Sequence, residues 1–507
     1  MPPWTATRGQ RSHFTPQLCD AVTESTVAEP GTIPSSRIAH AFSLQLICRV
    51  IGMVASVVSV AMTARYLGPG LYGQLTIAIV FIGMWTSFAD LGIGTVIVRR
   101  VTSGRGQLER LVRVNSGLSL VYCLPLAALA AGAGLLIYPD TDVRAMLVVM
   151  SAQLLMMTMT TRFEPVFLAS VRFTAVALSD VFSRLAMLGC IVFLVVSHAD
   201  IIWFAVAQLV PPAIALVVQG IAASRQISLK PAFSMTETAD LLRESLAPMG
   251  IIVIAILYWR ADGVILSLMS THAEVGVYGL AYTVAFNTVV MSTFFLKSTL
   301  STATELYSRD VSAFTAFMQR SVETMYFLAV PVAVVGAILA GPLIRLLGDD
   351  QFVERGALTL ALLFVAVALR FVTGTLGQGL FACHQQQFLF RLSIATLAFN
   401  LALNVVLIAR FGAVGSAMAL VCTEIFGMVI ASWRLHTQCG YRTPIAFLIR
   451  TLAPAAVTVA VVVALSGQHV LVVGTLAVMA YLAANVVLGP VRASTLSAIR
   501  GGARNGA

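Results

Sequence analysis

The sequence predicts an all-α, polytopic membrane protein of about 14 transmembrane helices, each a run near the span length of about 20 residues. Three observations carry this. The 507 residues are 58% apolar and only 11% charged, with a mean hydropathy of +0.90, whereas a soluble domain carries roughly 25% charged residues. Apolar runs recur at lengths that cross about 30 Å of hydrocarbon. The basic residues fall largely on alternate connections between those runs. The formal net charge of +10, from 32 Lys and Arg against 22 Asp and Glu, therefore records membrane orientation. No basic patch interleaved with aromatics points to nucleic acid.

The elements follow in order. Residues 1–40 are polar and rich in Ser, Thr and Pro, with no apolar core and cleavage site. They read as a disordered tail rather than a signal peptide, and the first apolar segment reads as an uncleaved anchor. Apolar segments then lie at 42–66, 72–98, 115–138, 145–168, 176–197, 201–223, 246–269, 276–299, 322–346, 356–382, 393–410, 413–434, 450–466 and 470–489. The fourth and fifth divide near "RFEPVFLASVRF". The breaks carry turn chemistry, as in "LGPGLYG", "YPDTD", "LGDDQF" and "FGAVG".

An even count puts both termini on one side. The loops and tails on that side hold 21 of the 32 basic residues, including five Arg in "RRVTSGRGQLERLVR". The opposite loops hold three, Arg144, Arg355 and Arg410, and are at most about nine residues long; the other eight lie within segments. The positive-inside rule then makes the termini and long loops cytoplasmic, in a multi-pass protein of the cytoplasmic membrane. Residues 224–245 form the longest interior polar stretch and divide a six-helix front half, 41–223, from an eight-helix remainder. Within that remainder, 246–435 continues the core, 436–489 holds the last two helices and 490–507 is a second tail. "LGPGLYGQLTIAIV" and "HAEVGVYGLAYTVAF" echo each other where a helix restarts, at Tyr72-Gly73 and Tyr278-Gly279, as in a parallel repeat. The seven cysteines show no CxxC spacing, so neither a disulfide framework nor a metal site is expected.

Charges inside the segments call for a reason, since one at the bilayer centre costs about 2.5–3.5 kcal/mol. At 1.5 Å per residue, Arg260 lies roughly 21 Å into its helix, Arg49 about 10 Å in from the cytoplasmic side and Asp90 about 12 Å from the cytoplasmic end of the second segment. Arg370 and Glu424 fall near the middle of the tenth and twelfth. Arg260 and Asp262 point roughly 200° apart on one helix and do not form a pair, whereas Asp180 and Arg184 share a face and do. For Arg49, Arg260 and Arg370 two readings stand. Each fastens helices by pairing with Asp90, Asp262 or Glu424, or together they make a cationic cavity between the halves. The guest of such a cavity is an anion needing several donors, phosphate first, because Arg presents a planar, permanently charged fork. The three acids would then set resting charge or carry a coupling proton. Asn287, Gln378, Asn400 and Asn404 are candidates for bonds across helices, and Gly374, Gly377 and Gly379 for a bend or for close packing. There is no GxSxG, Walker sequence, HExxH or CxxC pair, so enzyme chemistry and a bound cofactor have no foothold.

Three stretches carry a resemblance. "ARYLGPGLYGQLTIAIVFIGMWTSFADLGIGTVIVRR" resembles the first hairpin of polysaccharide-biosynthesis exporters, "LYWRADGVILSLMSTHAEVGVYGLAYTV" their seventh and eighth helices, and "FNLALNVVLIARFGAVGSAMALVCTEI" their eleventh and twelfth. Together they span about residues 40 to 435 in matching order. The family is that of lipid-linked oligosaccharide flippases in the multidrug/oligosaccharidyl-lipid/polysaccharide exporter superfamily. The resemblance implies two six-helix lobes around a cationic cavity opening alternately to each side, with Arg49 and Arg260 among its cations. It implies a polyprenyl-diphosphate-linked glycan as substrate, a lipid tail left in the bilayer, and a C-terminal helix pair that cradles it. Membrane lipids and glycan-assembly enzymes are the further partners. The 40-residue tail and Trp259, where a Tyr is frequent, depart from the pattern. The rivals are a drug/cation antiporter of the same fold, an integral-membrane polymerase, ligase or glycosyltransferase of lipid-linked glycans, and a scaffold. The short outer loops leave no room for the catalytic loop of the second.

Overall fold

The computed structural model describes residues 35–89, 91–170, 174–465 and 467–488, and among them every regular element is helical. The front half comprises α1 (Ser35–Ala89), α2 (Ile93–Thr102), α3 (Leu108–Ile137), α4 (Thr141–Thr161), α5 (Glu164–Ser170), α6 (Thr174–Val196), α7 (Ile201–Ala207) and α8 (Val210–Ser224). The remainder comprises α9 (Met235–Met269), α10 (His272–Asn287), α11 (Val289–Arg309), α12 (Val311–Ile338), α13 (Ala340–Gly348), α14 (Val353–Ala382), α15 (Gln386–Cys439), α16 (Ile445–Ala464) and α17 (Val470–Val487). Among the described residues twelve helices are long and apolar enough to cross a membrane, against the fourteen segments read from the sequence. The difference lies in α1 and α15, each holding two of those segments. A straight 55-residue helix would run about 80 Å, far beyond the bilayer core. Gly68 (φ 68°, ψ 173°) breaks α1 instead, in a conformation open to glycine, and Pro69 starts the second arm where a missing N–H costs nothing. Gly412 (φ 56°, ψ −130°) breaks α15 in the same way.

The break in α15 is pinned from outside. The Glu274 carboxylate, buried at 5% exposure, accepts from the Ala413 N–H at 2.8 Å and pairs with Arg355. Asn400, Asn404, Ser416 and Thr423 then tie the two arms together. Asn404 Nδ2 donates to Asn400 Oδ1 at 3.0 Å, the Ser416 hydroxyl to Asn404 Oδ1 at 3.0 Å, and Asn400 Nδ2 to Thr423 Oγ1 at 3.2 Å. Gln378 reaches α11, donating to the Leu296 carbonyl at 2.8 Å, whereas Asn287 bonds only back to Thr283 in its own helix.

Helices of the front half pack on one another through α1, α4, α6 and α8, and those of the remainder through α9, α10, α12, α14 and α15. The two groups meet where α1 lies against α9, α10 and α13. At the end bearing Gly68 the meeting is close. A Cβ on Gly73 would stand 1.7 Å from the His272 carbonyl oxygen, and one on Gly276 would stand 2.4 Å from that of Pro69. Tyr138 and Ser267 share a 2.7 Å hydrogen bond across the same end, and Arg65 donates to the Arg345 carbonyl at 3.1 Å. At the opposite end Glu244 accepts from Arg99 and Arg100, both at 2.8 Å, and Arg110 pairs with Glu237 at 2.5 Å. The two guanidinium groups hold the Glu244 carboxyl at about 2, well below its usual range. The linker before α9 is bonded to α3 by Arg113 Nε to the Lys230 carbonyl at 3.0 Å and by Ala232 N to the Arg113 carbonyl at 2.9 Å. The final pair, α16 and α17, packs on itself and on α12 through Val335, Leu339, Val462 and Val473.

Candidate functional site: two cavities divided by Trp259

Where α1 leaves α9 and α10, a cavity of about 390 Å³ opens between the halves. The first arm of α1 lines it with Ser59 and Thr63, the second with Tyr72 and Thr76, α6 with Asp180, Ser183 and Arg184, and the back half with Trp259, Arg260, Asp262, Tyr278 and Tyr282.

Arg260 is half-buried and has no ion pair or hydrogen bond to any described residue. Its guanidinium lies over Gly83 of α1, with Cζ 3.4 Å from where a Cβ would be, in van der Waals reach of that position. Asp262, two residues on, borders the same cavity but forms no ion pair with Arg260. It is 3% exposed, accepts the Tyr278 hydroxyl and takes the Gly263 N–H at 2.7 Å. Sequence reasoning separated this pair correctly but left Tyr278 as half of a repeat signal, when its hydroxyl satisfies the buried acid.

Arg184 is the second guanidinium in the cavity. The expected pairing with Asp180 is present, Nε to Oδ1 at 3.0 Å, and both remain about a third exposed (31% and 38%). Its stem crosses α1 at Gly52, where a Cβ would stand 2.8 Å from Cδ. Reading the pair as structural overlooked that a paired Arg with free N–H groups can also face a cavity. The signal that could have found it is glycine: Gly52 and Gly83 leave room on α1 for one guanidinium each.

Arg370 does not line this cavity. It borders a second cavity of about 410 Å³ enclosed by α9, α14 and α15. Its Nη1 lies 3.4 Å from Glu424 Oε1, which also accepts the Tyr258 hydroxyl at 2.8 Å. Glu424 is only 2% exposed and its Oε2 has no hydrogen-bond partner among the described residues. A carboxylate this deep requires a counter-charge, and Arg370 supplies it. The helix α14 runs unbroken through Gly374 and Gly377, which hollow out the wall of this second cavity rather than bending the chain. Trp259 borders both cavities, with the Arg370 guanidinium 4.8 Å from its ring centroid. Asp90 lies outside the described residues; Arg49 sits in the helical backbone of α1, but its side chain is likewise outside them.

Among the described residues no group of three or more His, Cys, Asp or Glu side chains is placed to hold a metal ion. The cavity presents the Arg260 guanidinium, without an ion pair among the described residues, as a group suited to an anionic guest.

Comparisons with known proteins fit this architecture. A family described as polysaccharide biosynthesis protein matches residues 62–356. A probable flippase, AglR, from Haloferax volcanii is 27% identical over 176 residues, which are 34% of this chain and 37% of the relative, so the match spans little more than a third of that protein. The solved structure of the lipid II flippase MurJ in an inward closed conformation superposes with a TM-score of 0.72 at 15% identity, covering 87% of this chain and 97% of that one. An inward-facing MATE family transporter of the MOP superfamily superposes with a TM-score of 0.63 at 13% identity, covering 77% of this chain and 98% of that one. At these identities the two structures speak for the fold.

Proposed function

The chain belongs to the polysaccharide biosynthesis protein family, and on that premise we propose that it flips a polyprenyl-diphosphate-linked glycan across the cytoplasmic membrane by alternating access. The observation that carries the reading is Arg260, a guanidinium without an ion-pair partner among the described residues, facing a cavity between the halves. An unpaired cation at this depth is costly unless a guest supplies the counter-charge. A diphosphate does so with several acceptor oxygens, and the Arg184 guanidinium on the facing wall adds donors.

The end bearing Arg99 and Arg100 then faces the cytoplasm, as the positive-inside rule requires. With the Gly73–Gly276 crossing closed, the head group enters from that side past Arg49, docks at Arg260, and leaves after the halves rock and that crossing parts. The lipid tail stays in the bilayer. Arg370 acts from behind Trp259 as the counter-charge of Glu424, and Glu424, Asp262 and Asp90 are the candidates for a coupling proton. Membrane lipids and the enzymes that assemble the glycan are its partners.

Depletion of the protein tests this. The expected result is a diphosphate-linked glycan accumulating on the inner leaflet, relieved by the wild type and not by Arg260→Glu. Unchanged glycan together with altered sensitivity to cationic drugs would favour an antiporter instead.

A further inference from the structure

The two walls of the cavity between the halves differ in chemistry. On the front wall Ser59, Thr63, Thr76 and Ser183 are all buried, and the hydrogen of each hydroxyl is committed to the backbone. Ser59 donates to the Ala55 carbonyl at 2.8 Å, Thr63 to that of Ser59 at 2.8 Å, Thr76 to that of Tyr72 at 2.7 Å and Ser183 to that of Pro211 at 3.2 Å. A hydroxyl has one donor and two acceptor lone pairs, so these four offer a guest lone pairs alone. The Arg184 guanidinium apart, a phosphate oxygen, itself an acceptor, gains nothing from such a wall. A guest carrying O–H groups does.

The back wall is aromatic, with Trp259, Tyr278 and Tyr282. Trp259 is held edge-on by Tyr258 and Phe286, at centroid distances of 5.9 and 5.1 Å. Tyr282 stacks on Phe286 at 4.0 Å and donates its hydroxyl to the Trp259 carbonyl at 3.1 Å. This wall is therefore rigid before any guest arrives, which lowers the cost of binding. Trp259 stands beside Arg260 on α9, and the two tyrosines come from α10.

A pyranose combines the two properties these walls ask for: an apolar C–H face and an edge of O–H donors. We propose that the cavity holds the first sugar of the lipid-linked glycan, its C–H face on Trp259 and Tyr282 and its hydroxyls toward Ser59, Thr63, Thr76 and Ser183, while Arg260 holds the adjoining phosphate. The volume of about 390 Å³ lies near the lower end of the roughly 300–1,000 Å³ of small-molecule sites. It suits a sugar and its phosphate, so later sugars of a longer glycan extend beyond these walls. The inference rests on the flippase reading above and adds to it that the protein reads a sugar as well as a phosphate.

The test uses the full-length chain in nanodiscs and two soluble probes, citronellyl diphosphate and the same molecule with glucose on its distal phosphate, titrated by calorimetry. In the wild type the glucose is expected to tighten binding about tenfold, the worth of one or two net hydrogen bonds. Trp259→Ala should abolish that increment, bringing the ratio of the two Kd values to about one whatever its effect on the sugar-free probe; Trp259→Phe should keep most of it. Thr63→Val, which removes one acceptor at constant shape, should reduce the increment a few-fold. Equal affinity of the wild type for both probes would overturn the inference and leave the flippase reading standing. So would an equal loss for both probes in Trp259→Ala with no effect of Thr63→Val, because the wall would then be structural only. Failure of both probes to bind would overturn the flippase reading and this inference with it.

Discussion

At the scale of single residues, each buried charge has a specific environment, and each predicts a different response. Glu424 is buried and pairs with Arg370, whose side chain is 32% exposed, so removing Arg370 strands a buried carboxylate. Arg370→Ala is expected to destabilise the protein by about 3 kcal/mol, measured as the fall in thermal unfolding temperature in detergent. The double change Glu424→Leu with Arg370→Met should recover most of that loss, since a well-packed apolar pair can replace an ionic one. If the recovered double variant also transports, Glu424 is structural and the coupling proton resides elsewhere. Tyr278→Phe deprives the buried Asp262 carboxylate of its hydroxyl donor and should cost about 1–3 kcal/mol by the same measurement. The sequence made Arg260 legible, because a guanidinium amid apolar residues has few explanations. It did not separate Arg370 from it. Depth along a helix can be counted from sequence, but the face a side chain takes depends on which neighbour is present, and Glu424 is 54 residues from Arg370. Arg184 was hidden for the converse reason: a satisfied i,i+4 pair looks complete from sequence, while Gly52, the space that lets it face the cavity, lies on a distant helix.

At the scale of elements, the two ends of the bundle are held by different physics. The Gly73–Gly276 crossing is a steric closure with no room for a side chain. Gly73→Leu should drive α1 and α10 toward the ordinary interaxial separation of about 8–10 Å. Spin labels at Leu71 and Thr271 would report a longer distance, and transport should fall; an unchanged distance would show that the crossing yields elsewhere. The opposite end is held by charge. Glu244 titrates at about 2 in the fold, below the ordinary 4.5. Its contribution is therefore complete above about pH 4.5 and is lost as pH falls through about 2. A fluorophore pair on Ser103 and Asp240 should report a constant separation from pH 7 to pH 4 and an opening only near pH 2, whereas Glu244→Gln should open it at pH 7. Most of these elements were legible, because apolar runs and Gly–Pro turns are local signals. The α1 and α15 breaks were placed correctly at "LGPG" and "FGAVG", yet the sequence could not show that each break joins its arms directly, without a loop. Nor could it show that the basic stretch from α2 into α3, read as an orientation signal, also clasps the start of α9 through Glu244 and Glu237.

At the scale of the whole molecule, the halves touch closely at one end, are clasped by ion pairs at the other, and enclose a cavity whose Arg260 has no ion pair among the described residues. A fold of this kind transports when the two ends open alternately and the guest neutralises the charge that would otherwise be stranded. The guest determines the function, and the most direct measurement is made on purified protein in liposomes. A fluorescent polyprenyl-diphosphate-linked sugar is placed in both leaflets, and its loss from the outer leaflet is followed with a membrane-impermeant quencher. The account predicts rapid exchange between leaflets with the wild type and exchange at the protein-free rate with Arg260→Glu. Equal rates for wild type and Arg260→Glu would contradict it.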